Sequence, residues 1–423
     1  MADILKQINA FLWSGPLLVL LLGTHIILTV RCGFVQKKLG KGIRLSLSGG
    51  NGPKVLFTTL AATLGTGNII GVSTAIALGG PGALFWCMLT GVFGMATTYY
   101  ECYLGRLYKT EHGGGPMYVL RDALGAPRLG RLYAFSMLLV CFGTGCLTQS
   151  NAVSVSFSQT FGVPGMACGW VIAILCGLVI AGGKDSISKV CTKIVPVMCI
   201  LFLCGCGYIL FCNYEYIIPG IKLIIKDAFS FKAASGGIAG GGFMACARYG
   251  IARGLFTNEA GLGSAAVFAG GGDLTPKEQA AISMTATFWD TVVICSVTGL
   301  VIISSYLSNP SSISGYGAGE YAIAAFAQVP YVGKPFLTFA IAGFAIATIV
   351  GWFYPGEQSV QFLFGKNEKK VLWIVKTIYI VMVFMGSIFP LEPIWETADF
   401  FNIFLILPNV YALIKLSAGY TEN

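Results

Sequence analysis

The chain has 423 residues and a net charge of +9, yet it is only 11% charged and 55% hydrophobic, against roughly a quarter charged for soluble domains. A water-soluble surface is excluded by that composition. A nucleic-acid partner is excluded too, because the Lys and Arg are dispersed in short loops rather than gathered into a stripe or tail. The 14 Cys show no CxxC pair and no His-rich spacing, so neither a zinc site nor a disulfide framework is expected, only buried thiols.

Two runs, Val55 to Tyr100 and Leu132 to Gly183, contain no Asp, Glu, Lys or Arg, and each is long enough for two helices of about 20 residues across a bilayer. Apolar segments between polar loops predict eleven spans, starting near residues 9, 53, 82, 131, 164, 190, 234, 279, 333, 370 and 398. The first, Asn9 to Val30, lacks a preceding basic stretch and a small-residue cleavage pattern, so it reads as a retained span rather than a signal peptide. Loops carrying Arg31 to Arg44, Arg106 to Arg131, Lys184 to Lys193 and Lys366 to Lys370 fall on one side of this count. By the positive-inside rule that side is cytoplasmic, with the N-terminus outside and the C-terminus inside. The turns Gly79 to Gly82 and Gly162 to Gly165 and the loop Ser304 to Pro330 fall on the other. Lys222, Lys226 and Lys232 conflict with an external loop from Asn213 to Lys232. Its apolar run, Tyr216 to Ile225, is too short to cross and is predicted to lie on the surface.

Setting the first span aside leaves five before that loop and five after it, and an odd number per half makes the halves antiparallel, as in inverted-repeat transporters. The predicted organisation is an extra N-terminal helix and basic loop (1–52), a first five-helix repeat (53–213), an external connection (214–232), and a second repeat with a short cytoplasmic tail (233–423). The first span of each half is glycine-interrupted, at Gly65-Thr66-Gly67-Asn68 and at Gly240 to Gly242. Within a bilayer an unwound backbone survives only where it lines a cavity or binds something. Carbonyls freed around Ala61 to Gly65 suit a hard cation, and the half-helix starting near Gly67 to Ile70 suits a carboxylate. Close packing through Gly67 and Gly71 is the competing explanation. Asp290 stands in an apolar span, where an ionisable group is costly. It could ligate a cation, relay a proton, or lock to Arg248 or Arg253. Glu101 with Arg106, Arg253 with Glu259, and Glu357 read as gating or loop-fixing ion pairs.

The stretch Ala61 to Lys109, AATLGTGNIIGVSTAIALGGPGALFWCMLTGVFGMATTYYECYLGRLYK, resembles the alanine or glycine:cation symporter family. So do GGGPMYVL (Gly113 to Leu120), TQSN (Thr148 to Asn151), ARYGIARGLFTNEAGLGSA (Ala247 to Ala265), WDTVVIC (Trp289 to Cys295), GWFYPGE (Gly351 to Glu357) and ADFFNIFLILPN (Ala398 to Asn409). The ordered set spans nearly the whole chain. This resemblance implies an all-α, LeuT-type five-plus-five fold with one additional N-terminal helix. It also implies Na+-coupled or H+-coupled symport of alanine or glycine by alternating access, and a prokaryotic plasma membrane as the setting. No cofactor is implied beyond the coupling ion, and the expected partners are the amino acid and the lipid bilayer.

Carried over, the resemblance places Thr66 and Gly67 on the substrate carboxylate, with Asn68 and the region of Thr63 facing substrate or cation. Gln149 and Asn151 would hydrogen-bond substrate or hold the broken helix. Phe243 and Trp352 would wall the pocket, limiting the side chain to hydrogen or methyl. The cation would meet the carbonyls of Ala61 and Leu64, Asn68, Asp290 and Thr348. Ala347 stands where a second small hydroxyl often precedes that threonine. No enzyme constellation is present, since only His25 and His112 exist and no HExxH, GxSxG or phosphate loop appears. A channel remains the competing class.

Overall fold

The structure is a computed structural model that describes residues 2–230, 242–268, 274–365, 368–389 and 391–420. Among these residues it is helical, without strands. In chain order the helices are α1 (Ala2–Ser14), α2 (Pro16–Arg31), α3 (Leu39–Leu47), α4 (Gly52–Thr63), α5 (Ile70–Gly79) and α6 (Ala83–Leu107). Then follow α7 (Pro127–Phe161), α8 (Gly165–Ala181), α9 (Gly183–Cys212), α10 (Ile217–Ala228) and α11 (Gly242–Asn258). The remainder are α12 (Ser264–Phe268), α13 (Pro276–Ser308), α14 (Tyr321–Ala327), α15 (Gly333–Phe364), α16 (Glu368–Gly386) and α17 (Leu391–Ser417). Proline in the first turn opens α2, α4, α7 and α13, where its missing N–H costs nothing. Glycines with φ of 83° and 69°, Gly80 and Gly162, close α5 and α7.

Among the described residues, six helices and one bent pair are long and apolar enough to cross a membrane. The bent pair is α4 and α5, which meet at 67°. Outward faces carry apolar side chains such as Val171, Leu178, Val197 and Ile200, all more than half exposed, as lipid contact allows. α6 is instead enclosed and packs closely on α11. A Cβ on Gly254 would stand 2.0 Å from Thr90 Oγ1, and one on Gly250 2.2 Å from the Ala83 carbonyl oxygen. Only glycine permits that approach.

The short helix expected on the surface is α10. It docks on the α5–α6 turn, where the Gly82 N–H donates to Asp227 Oδ2 at 2.8 Å and Trp86 Nε1 donates to the Ala228 carbonyl at 3.1 Å. α14 reaches the first half of α5, with the Ala322 N–H on Ser73 Oγ at 3.0 Å.

Of the glycine run expected to interrupt this half, Gly240 and Gly241 lie outside the described residues; Gly242 opens α11, which runs unbroken to Asn258. Among the described residues an interruption falls at Glu259 to Gly263, where Glu259, Gly261 and Gly263 take φ of 55°, 98° and 82°, the left-handed region that glycine tolerates best. Neighbouring helices hold this unwound backbone. Glu101 Oε1 on α6 accepts from the Gly261 N–H at 2.9 Å and from Asn409 Nδ2 on α17 at 2.7 Å. Asn409 Nδ2 also meets the Gly261 carbonyl at 2.9 Å, and Tyr133 donates to the Leu262 carbonyl at 2.7 Å. Ser264 donates to Glu259 Oε2 at 2.5 Å. Glu101 therefore fixes backbone instead of pairing with Arg106, whose Nε donates to the Leu274 carbonyl at 3.0 Å.

Glu101→Leu strands the Gly261 N–H, a loss of about 1–3 kcal/mol for a buried unpaired donor, and removes one of the two acceptors of Asn409 Nδ2, whereas Glu101→Gln keeps an acceptor. The thermal midpoint of the detergent-purified protein is expected to fall sharply for leucine and much less for glutamine. Equal midpoints would contradict this role.

Candidate functional site

α4 stops at Thr63 because Leu64 and Gly65 turn extended, with ψ of 88° and −160°, before a single tight turn, Thr66 to Asn68, leads into α5. Gly65 is required by its neighbours: a Cβ there would lie 3.1 Å from both Gln149 Oε1 and Thr348 Oγ1. Two side chains thus converge on the break from α7 and α15.

Four of the backbone groups at the break have side-chain partners. Trp352 Nε1 donates to the Ala62 carbonyl at 3.1 Å, and Thr348 Oγ1 lies 2.9 Å from the Leu64 carbonyl. Gln149 Oε1 accepts from the Thr66 N–H at 3.2 Å and from the Thr66 hydroxyl at 3.1 Å. The Gly65 N–H donates to Asn68 Oδ1 at 3.1 Å. Thr63 Oγ1, also buried, has no hydrogen-bond partner. Ala61 sits lower on α4, against Gly351 of α15.

Asn68 ties the break to α13. Its Nδ2 donates to Asp290 Oδ1 at 2.7 Å and lies 3.2 Å from the Asp290 carbonyl, while Thr291 donates to Asp290 Oδ2 at 2.6 Å. Asp290 is fully buried. It is paired with these neutral donors rather than with Arg248 or Arg253, whose guanidinium groups lie over the rings of Tyr249 and Phe256. Nothing cationic in that set offsets the charge of an ionised carboxylate, so the position favours a bound cation or proton. Both contributing helices are locally widened to π geometry, at Cys141 to Leu147 just before Gln149 and at Phe288 to Cys295 around Asp290. Such widening recurs at functional sites.

The structure therefore brings together Thr63, Leu64, Thr66, Gly67, Asn68, Gln149, Asp290, Thr348 and Trp352. Two predicted residues stand apart. Asn151 Nδ2 donates to the carbonyls of Gly386 and Phe389 at 2.9 and 2.7 Å, so it fastens α7 to the end of α16. Phe243 packs edge-on against Trp86, ring centroids 5.5 Å apart. Because α11 is continuous, Phe243 lies about 20 Å along the helix from Phe256 at 1.5 Å per residue. The aromatic that does approach the break is Phe256, 3.5 Å from where a Cβ on Gly67 would lie, with Thr257 Oγ1 at 3.7 Å. The signal for these two was present in the TNEAGLG run, which combines a helix-ending Asn with two left-handed glycines. Among the described residues no group of three or more His, Cys, Asp or Glu could hold a metal ion. The oxygens gathered here, from carbonyls, hydroxyls and one carboxylate, are those a hard monovalent cation takes.

The model of the Sodium:alanine symporter family matches residues 1–422. The chain is 37% identical to "Sodium/alanine symporter AgcS" of Methanococcus maripaludis, over 98% of this chain and 94% of that protein. It is 31% identical to "Probable sodium/glutamine symporter GlnT" of Bacillus subtilis, over 99% and 89%. Among solved structures it resembles a Na+-coupled sialic acid symporter in a substrate-bound outward-open state, with a TM-score of 0.60 at 10% identity, covering 95% of this chain and 97% of that one. At that identity the likeness speaks for the fold alone, which is LeuT-type. The chain belongs to the sodium:alanine symporter family and is a membrane transporter rather than an enzyme.

Proposed function

We propose that the protein carries a small neutral amino acid, alanine or glycine, across the membrane together with Na+ by alternating access. The observation that carries this reading is the Gly65 to Asn68 break, where the Thr66 N–H and the Leu64 and Ala62 carbonyls are held by side chains that a ligand could replace. Gln149 Oε1 occupies the Thr66 N–H and hydroxyl, the donors an amino acid carboxylate would use, with Gly67 beside them at the start of the half-helix. Thr348 Oγ1 lies 2.9 Å from two carbonyls, Leu64 and Phe344. Its single proton serves one of them, leaving lone pairs for a cation shared with the carbonyls of Leu64 and Ala61. Asp290, reached through Asn68, supplies the negative charge that makes cation entry favourable.

Side-chain size is limited by Trp352 on one side and Phe256 on the other. Trp352 is immobile toward α7, since a Cβ on Gly145 would stand 2.7 Å from its own Cβ. A filled cavity of this kind rejects added methylenes. In this reading the two repeats, 53–213 and 233–423, rock about the paired breaks, the basic loops face the cytoplasm of a prokaryotic cell, and the N-terminus lies outside. Proton coupling is the second reading, favoured by the burial of Asp290 without a basic partner.

Concentrative uptake of radiolabelled alanine and glycine into proteoliposomes, with Na+ and proton gradients imposed separately, tests both readings. Accumulation is expected under the Na+ gradient; accumulation under the proton gradient alone would favour the second reading, and none under either would overturn the symporter. Asp290→Asn, recovered at normal yield, is expected to lose at least about tenfold of Na+-driven uptake. Unchanged uptake would remove Asp290 from the coupling step.

A further inference from the structure

Helices α6 and α13 pack antiparallel in a register fixed by close contacts. A Cβ on Gly299 would stand 2.4 Å from Leu84 Cδ1 and one on Gly91 2.9 Å from Thr291 Cβ, while Thr98 Oγ1 lies 2.9 Å from Thr287 Oγ1. Position 87 on α6 therefore faces position 295 on α13, and both are cysteine. The two thiols are buried and interact with each other.

Cys295 also touches Asn68. Its Sγ accepts from Asn68 Nδ2 at 3.3 Å, beside the contacts of the same nitrogen with Asp290 Oδ1 at 2.7 Å and the Asp290 carbonyl at 3.2 Å. Nδ2 carries two N–H groups, so three acceptors share them. The S–H of Cys295 has Cys87 as its partner, which leaves the sulfur lone pairs to the amide.

The α13 side of this arrangement is held firmly. Thr291, which donates to Asp290 Oδ2 at 2.6 Å, is wedged against Gly91, and Cys295 stands about one helical turn further on. Asn68 belongs instead to the single tight turn between α4 and α5, with its Oδ1 on the Gly65 N–H. A cation arriving at Asp290 Oδ1 would meet the partly positive hydrogens of Nδ2, 2.7 Å from that oxygen. Like charges at such range repel, so the amide has to withdraw before the cation can bind. The Asp290 carbonyl and the Cys295 sulfur are then its remaining acceptors.

We propose that Cys295 is a positioning residue for cation coupling. Its sulfur keeps hold of the Asn68 amide when a cation displaces that amide from the Asp290 carboxylate, so the break stays tied to α13 through the exchange. The inference rests on the reading of Asp290 given above. A thiol suits the task because sulfur is a weak acceptor, able to orient the amide without competing with the carboxylate for it. Loss of the sulfur matters more in the cation-bound state, where the amide has two acceptors, than in the free state, where it has three. Affinity for Na+ therefore falls when the sulfur is removed.

Alanine uptake into proteoliposomes is measured against Na+ at saturating alanine, and against alanine at saturating Na+. Cys295→Ala is expected to raise the half-saturating Na+ concentration about threefold, the lower part of the range for one hydrogen bond, with the maximal rate and the alanine KM at saturating Na+ little changed. Cys295→Ser keeps an acceptor and is expected to retain the unsubstituted value. Cys295→Val, close in volume to cysteine and without an acceptor, repeats the test should the alanine variant fail to fold. Unchanged half-saturation without the sulfur would show that the Asp290 carbonyl suffices and would overturn the role. An equal rise in Cys295→Ser would place the effect in packing and overturn it too. If uptake by the unsubstituted protein does not depend on Na+, the Na+ reading falls and the positioning role with it; if it does and the variants match it, only the positioning role falls.

Discussion

Inside a bilayer no water is on hand to hydrogen-bond a stray peptide group, so every N–H and C=O released from a helix must find a partner in the protein or in its cargo. Among the described residues two helix breaks stand out, and their released groups are satisfied in different ways. At Glu259 to Gly263 the partners are Glu101, Asn409 and Tyr133, side chains on α6, α17 and α7 that bond backbone directly and leave little for a ligand to displace. At Gly65 to Asn68 they are an amide, a hydroxyl and an indole, from Gln149, Thr348 and Trp352. The net value of each such bond is only about 0.5–1.5 kcal/mol. A carboxylate or a cation can therefore replace them at small cost.

The asymmetry explains why the two breaks can be neighbours and still act differently. Phe256 and Thr257, just ahead of the second break, approach Gly67 in the first, so a shift of either half-helix is felt by the other. The close packing of α11 on α6 through Gly250 and Gly254 makes those helices move as one body, while α4 and α5 meet at 67° and have no continuous helix between them. Asp290 joins this arrangement through Asn68, which bonds the Gly65 N–H with one end of its amide and the carboxylate with the other. One side chain thereby connects backbone geometry at the break to the charge state of a buried acid.

Much of this was legible in the sequence. The uncharged runs from Val55 to Tyr100 and Leu132 to Gly183 announced membrane helices, and GTGN after an apolar run announced the first break. The break at Glu259 to Gly263 was not read, because the acidic residue of NEAGLG reads as an ion-pair partner until its backbone conformation is known. Asn151 was grouped with Gln149 because both stand in the TQSN match to the family. Two residues on a helix are about 200° apart, however, so they cannot face one site. Phe243 was chosen because it follows the glycine run at 240 to 242, and it packs on Trp86 instead. Gln149 and Trp352 came from family resemblance, since a lone Gln or Trp in an apolar helix carries no positional signal of its own.

The central claim is that cation and amino acid share one site assembled on the Gly65 to Asn68 break, and equilibrium binding of alanine to the purified protein tests it directly. A cation and a carboxylate held on the same unwound segment attract each other, and whatever affinity one gains from the other is reciprocal. Replacing choline with Na+ is expected to tighten alanine binding by at least about tenfold, and Thr348→Val to abolish that gain. Alanine binding of equal affinity in choline and in Na+ would contradict a shared site.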